Sequence, residues 1–422
     1  MTELLQETVA LWQRSSAILP PFERAYTEER QAARERDLLQ FLDSLRAEVR
    51  RLPRTRTERA AAHGRITDAF ERFARNGLEF QDGHVDLLLR RGFAAIGTAL
   101  AREARRFDPA VTTADILQAS RNAWTACALQ MLLGREMGLT PAIFAYSMLY
   151  PYTDNYMDDP ATARNAKVGF SGRFGRRLAG ETVAPENHRE EAIWRLVGMI
   201  EAQYPRVEYP QVFESLSAIH RAQADSLRLL RRTPFAADVD VLRLSFAKGG
   251  SSVLADAYLA AGSLNPAEAQ FAFAWGVALQ LADDLQDVQE DGRAGVLTLF
   301  SLAAAAEPLD ALTSRTMQFA RTVAQQMPRL PGPRFQTLED LIRKSSSSLL
   351  IRAAGEAGDL HTANYLTSLE AHSPFRFAFL NRQRREMAQR GAAITRLFEA
   401  FLAGDDDEPA FPLLPGTLMP RV

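Results

Sequence analysis

The chain has 422 residues, 46% hydrophobic and 24% charged, a composition that excludes disordered, collagenous and disulfide-stapled classes. Fifty basic residues nearly balance fifty-two acidic ones, so a net charge of −2 gives no overall field for nucleic acid or an anionic membrane, and phosphate recognition has to be local. Only Lys167, Lys248 and Lys344 are lysines; every other basic residue is arginine.

Met1–Ala10 carries acids and lacks the basic flank and apolar stretch of a secretory signal. Alanine, leucine, arginine and glutamate then dominate, with apolar residues at three- and four-residue spacing, which predicts an all-α fold. Proline and glycine punctuation at 20–21, 138–141, 205, 210, 234, 265–266, 331–333 and 374 cuts this pattern into helices of roughly 12–28 residues. Residues 28–60, rich in arginine and glutamate, read as solvated helix faces or a partner surface. The single cysteine, Cys127, sits in the apolar stretch Trp124–Met131 as a buried thiol. The longest apolar runs, such as Phe271–Leu279, reach about half of the ~18 residues a membrane span needs. A soluble, cytoplasmic protein is expected. Its expected parts are an N-terminal helical region over 1–110, a catalytic core over 111–402 and a poorly ordered acidic and proline-rich tail over 403–422.

The chemistry on offer is carboxylate. HExxH, cysteine–histidine clusters, GxSxG, phosphate loops ending in GKS or GKT, and GxGxxG after a strand are all absent from the sequence. A first acid cluster, Asp154-Asn155-Tyr156-Met157-Asp158-Asp159, ends an apolar run that starts near Pro141. At roughly 100° per residue, Asp154 and Asp158 lie about 40° apart, one turn above the other. Phe170–Gly180, rich in glycine and arginine, reads as a loop, either plain surface or a cover over an anionic ligand. Phe246-Ala247-Lys248-Gly249-Gly250-Ser251-Ser252 reads as a helix break whose backbone could approach a phosphate, with lysine adding a point charge.

A second acid cluster follows Phe271–Leu279. Asp283, Asp287 and Asp291 stand at i, i+4 and i+8, so three carboxylates line about 12 Å of one helix face. Like charges at that spacing repel and call for a cation. A solvated helix end would explain one such cluster, but two that each directly follow a buried aliphatic stretch belong at the mouth of a core. Oxygen ligands suit Mg²⁺, which is usually held by one or two carboxylates together with substrate phosphate.

These residues resemble the class I isoprenoid synthase superfamily: prenyl diphosphate synthases, squalene and phytoene synthases, and class I terpene synthases. With Gln280, the second cluster is similar to the Q-x-x-D-D-x-x-D of prenyl synthases, while its i, i+4, i+8 triad matches the N-D-x-x-S-x-x-x-E spacing of cyclases. The first cluster is similar to the D-x-x-x-D-D of squalene synthases and departs from D-D-x-x-D. The clusters lie 129 residues apart, and Lys248 precedes the triad by 35 residues, near the positions usual in the superfamily. The resemblance covers residues 115–300 well and the first hundred poorly.

It implies a single-domain helical bundle with a central cavity, and Mg²⁺, three ions with the diphosphate bound. Asp154 and Asp158, supported by Asp159, would serve one metal subsite, and Asp283, Asp287 and Asp291 the other. Lys248 is the first candidate for a diphosphate donor, followed by Arg164, Lys167, Arg293 and Arg376. Tyr146 and Tyr150, two turns and one turn before Asp154, and Gly276, Leu279 and Gln280, before Asp283, could line the pocket, where aromatic faces steady a carbocation. A buried Gln280 amide demands a partner.

Three functions are open: a terpene synthase ionising and rearranging one prenyl diphosphate, a prenyltransferase joining two units, and a catalytically silent helical subunit. No RRGxP follows the first cluster, which weakens head-to-tail elongation. Retention of both acid sets weakens the silent subunit. A homodimer is an assembly the resemblance allows.

Overall fold

The structure, a computed structural model, describes residues 1–90, 92–159, 161–226, 229, 240–330, 335–409 and 411–412, and of residues 158 and 388 the backbone alone. Among the described residues the fold is all-α, as expected, and no strand is present. No helix among them is long and apolar enough to cross a membrane. The chain forms two compact units that interleave along the sequence. One comprises 1–20, 125–335 and 357–362, the other 21–124, 336–356 and 363–422.

In the first unit, helix starts follow local chemistry. Thr140 accepts a hydrogen bond from the Ile143 N–H ahead of the Pro141–Asp158 helix, with proline at the first helical position, where its missing N–H costs nothing. Asn265 and Glu268 form a reciprocal capping box at the start of Pro266–Gln286. The preceding helix, Val241–Ala261, stops at Gly262, whose φ of +76° lies in the left-handed region.

Val241–Ala261 is continuous, so the expected break at Lys248–Ser252 is absent. Its glycines instead allow two helices to touch. A Cβ on Gly249 would lie 2.4 Å from Gln280 Cβ and 2.9 Å from the Gly276 carbonyl, and one on Gly276 would lie 2.2 Å from the Gly249 carbonyl. Gly249 and Gly276 therefore pack backbone to backbone. Phe170–Gly180 also departs from expectation. Arg164–Leu178 is a helix that buries Phe170, Phe174 and Leu178 at i, i+4 and i+8, and Arg177 pairs with Glu201.

The second unit centres on the Glu28–Arg51 and Arg56–Asn76 helices. Thr27 caps the first and a Thr55–Glu58 capping box starts the second. Phe41 stacks on Phe73 at 5.6 Å and Phe73 on Phe375 at 6.3 Å. The 28–60 stretch is thus more than a solvated face, since Leu38, Phe41, Leu42 and Leu45 enter the core. Acids in and near it are matched by arginines: Glu48 with Arg65 and Arg51, Glu35 with Arg376, and Glu79 with Arg34 and Arg24. The 404–408 acidic run, expected to be loose, is anchored, because Arg59 reaches both Glu408 oxygens at 2.6 and 2.9 Å and Arg102 donates to carbonyls of 405, 406 and 408. Residues 410 and 413–422 of that tail lie outside the described residues.

Candidate functional site

Both acid clusters belong to the first unit. The Pro141–Asp158 helix packs on Val241–Ala261, which in turn packs on Pro266–Gln286. One helix, carrying Lys248, thus stands against the helices that carry each cluster.

In the second cluster the Pro266–Gln286 helix gives way at Asp287, with φ −98° and ψ 7°, to a short helix over Val288–Ala294. The break does not disperse the acids. Asp287 N–H donates to the Asp283 carbonyl at 2.9 Å and Asp291 N–H to the Asp287 carbonyl at 2.8 Å, so one-turn spacing continues through the triad. Asp283 is exposed, Asp287 and Asp291 half-buried. Burial, then the fields of Asp287, Asp283 and Glu290, push the Asp291 carboxyl up to about 6, against the opposing charge of Lys248.

Asp284, one residue round the helix, faces the core at 5% exposure. Its Oδ1 accepts from Gln280 Nε2 at 2.8 Å, which supplies the partner expected for that amide, while its buried Oδ2 has no hydrogen-bond partner among the described residues. Burial first, with the Asp283 and Asp291 charges adding, pushes Asp284 up to about 7, and the Gln280 hydrogen bond and Lys248 oppose the rise. The sequence pattern contains Asp284 but gives no sign that it is the buried member. Lys248, half-buried, thus acts electrostatically on both Asp284 and Asp291.

In the first cluster, Pro151 removes one backbone bond of its helix just before the acids. Tyr146, Tyr150 and Asp154 run up one face from buried to half-buried. Tyr146 donates its hydroxyl to the Ser252 carbonyl at 3.3 Å, one turn beyond Lys248, and so ties the first acid helix to the lysine helix. Burial, then the fields of Asp256, Tyr150 and Asp154, holds the Tyr146 phenol well above its ordinary range, although the bond to Ser252 opposes this. Asp154 Oδ1 accepts from Gln223 Nε2 at 3.1 Å, across from the Pro210–Ser226 helix. No feature of the sequence singles out Gln223. The Asp158 side chain lies outside the described residues.

Asp159 has left the helix and turns into its own loop, accepting from Ala161 N–H at 2.9 Å and the Thr162 hydroxyl at 2.8 Å. Those bonds, first the backbone one, hold its carboxyl below the usual range, and Lys167 and Arg189 add to this. Lys167 is therefore near the first cluster. Arg164 begins the next helix and is exposed. Arg293 is exposed and donates to Gln289, one turn back. Arg376 lies in the second unit, where Glu35 takes its guanidinium.

Among the described residues no three carboxylate, imidazole or thiol side chains converge as a complete metal cage. The candidate donors are carboxylate oxygens, the ligand type that Mg²⁺ takes, one or two at a time when a diphosphate completes the shell.

No family profile matches the sequence, and no curated protein is similar to it. Among solved structures, the chain is similar to geranylgeranyl pyrophosphate synthetase from Pyrococcus horikoshii Ot3, at 15% identity over 66% of this chain and 95% of the other, with a TM-score of 0.32. At that level the overlay assigns neither activity nor residues to this chain.

Proposed function

We propose that the chain is a class I isoprenoid synthase of the terpene synthase kind, which ionises a prenyl diphosphate, releases diphosphate and lets the carbocation rearrange or cyclise. The observation that carries this reading is the 283/287/291 ladder, held at one-turn spacing through a helix break beside Lys248, where burial and the neighbouring acids push Asp291 up to about 6. Asp154, Asp283, Asp287 and Asp291, together with Asp158, would hold Mg²⁺. When bound, Mg²⁺ supplies positive charge where the leaving diphosphate gains negative charge.

Lys248 would add a cation beside the same oxygens, and Lys167 another near the first cluster, to meet the charge that develops there. Tyr150 and Tyr146 present aromatic faces below Asp154, suited to steadying a cation in a water-poor setting. Asp287 is the joint of the ladder: its backbone links Asp283 to Asp291, and its carboxylate would face the diphosphate.

The test is incubation with geranyl, farnesyl and geranylgeranyl diphosphates and Mg²⁺, measuring diphosphate and hydrocarbon products. Release from a single substrate, abolished by a chelator, is the expected outcome. Release only with a coupled product would instead make the chain a prenyltransferase, and no release with any of the three would overturn the reading.

A further inference from the structure

We propose that Gln223 is a positioning residue for the first acid cluster, orienting Asp154 toward its cation without neutralising it. The inference rests on the proposed function above. A carboxylate only accepts hydrogen bonds, so the end of the Gln223 amide that meets Asp154 Oδ1 at 3.1 Å must be its NH₂ group. The nearby Thr153 hydroxyl does not serve this purpose, because it donates to the Leu149 carbonyl at 2.8 Å and stands 3.4 Å from Asp154. Gln223 is half-buried on the Pro210–Ser226 helix, which packs on the lysine-bearing Val241–Ala261 helix. The amide therefore ties Asp154 to the packing of a second element.

An amide differs from an arginine in one decisive respect: it fixes the rotation of a carboxylate but leaves its full charge for an incoming ion. At the second cluster a glutamine amide likewise donates to an acid, Gln280 to Asp284 at 2.8 Å, although Asp284 faces the core and is not among the proposed ligands. There the donor comes from one turn back on the same helix, whereas Gln223 comes from a different helix. Partners of metal-binding groups at this remove commonly govern metal affinity by roughly 10–100-fold when removed.

The experiment titrates the full chain with Mn²⁺ in the presence of inorganic pyrophosphate, following free Mn²⁺ by electron paramagnetic resonance, for wild type, Gln223→Met, Gln223→Asn and Asp154→Asn. Gln223→Met keeps side-chain length and removes the donor, and it should weaken Mn²⁺ binding by roughly 10–100-fold. Gln223→Asn keeps the donor on a shorter stem and should fall between it and wild type, and thermal unfolding without metal should show all variants folded. Mn²⁺ affinity within twofold of wild type in Gln223→Met, while Asp154→Asn weakens it, would overturn the role of Gln223 alone. Wild-type affinity in Asp154→Asn as well would overturn both, and the fault would then lie with the site reading.

Discussion

The acids of the Glu28–Arg51 and Arg56–Asn76 helices and those of the 283–291 run meet opposite electrostatic fates. In the first region arginines close on the carboxylates: hydrogen bonds from Arg65 hold Glu48 below its ordinary range, and just beyond the second helix Arg34 and Arg24 outweigh burial at Glu79. In the second region Asp284 and Asp291 are pushed up to about 7 and about 6, since burial and neighbouring acids outweigh a glutamine amide and one lysine. With 47 arginines in the chain, such pairing was widely available, yet burial and neighbouring acids prevail at Asp284 and Asp291. Acids satisfied by arginine stabilise the fold; acids raised by burial and by one another mark a candidate site for a cation.

The contrast can be broken most directly at Asp287. Asp287→Ala should lower the rate of diphosphate release by roughly 10³-fold, as loss of a group acting on developing charge does, whereas Glu48→Gln should leave that rate within twofold. An Asp287→Ala enzyme with unchanged kcat would remove the distinction.

A titration sharpens it. A carboxyl whose folded pKa is raised from 3.8 to about 7 binds more protons folded than unfolded between those values. Stability from this group therefore falls as pH rises from about 4 to 7, in contrast to Glu48, whose lowered pKa makes its contribution vanish as pH falls. Asp284→Asn should accordingly gain stability relative to wild type between pH 5 and pH 8, by on the order of 2–4 kcal/mol without metal. Chemical denaturation at both values reads this out, and a pH-independent difference would show that Asp284 ionises normally.

Smaller effects should follow at the helix contact. Gly249→Ala places a methyl 2.4 Å from Gln280 Cβ, which should cost about 1–3 kcal/mol by overpacking. It should also lower diphosphate release, because Lys248 and Gln280 move with the contact. The smallest effect is expected at Glu48→Gln, about 1 kcal/mol, because its arginine partners are 48% and 60% exposed and solvent screens them. Loss of stability in Gly249→Ala with wild-type release would separate the packing from the site.

Periodicity alone made the all-helical fold and the Asp283–Asp287–Asp291 ladder legible, because a four-residue spacing maps directly onto one helix face. It does not distinguish glycine that ends a helix from glycine that lets two helices touch, so in the sequence alone Gly249 and Gly250 look like a break. The same ambiguity hid the Arg164–Leu178 helix, although Phe170, Phe174 and Leu178 carry its period. Arginine pairing was invisible for another reason: partners such as Arg59 and Glu408, or Arg376 and Glu35, lie more than 300 residues apart. Gln223 belongs with these, since nothing local marks an amide that acts across helices.

In the proposed function the two acid clusters, on helices packed against the lysine-bearing one, grip a single metal–diphosphate ligand together. A double-mutant cycle on Mn²⁺ binding with inorganic pyrophosphate, using Asp154→Asn and Asp287→Asn, tests this most directly. If both clusters hold one ligand, either substitution should remove most of the binding and the pair should lose little more. Strictly additive losses, or a full-strength site surviving in either single variant, would mean that the two clusters do not share one ligand.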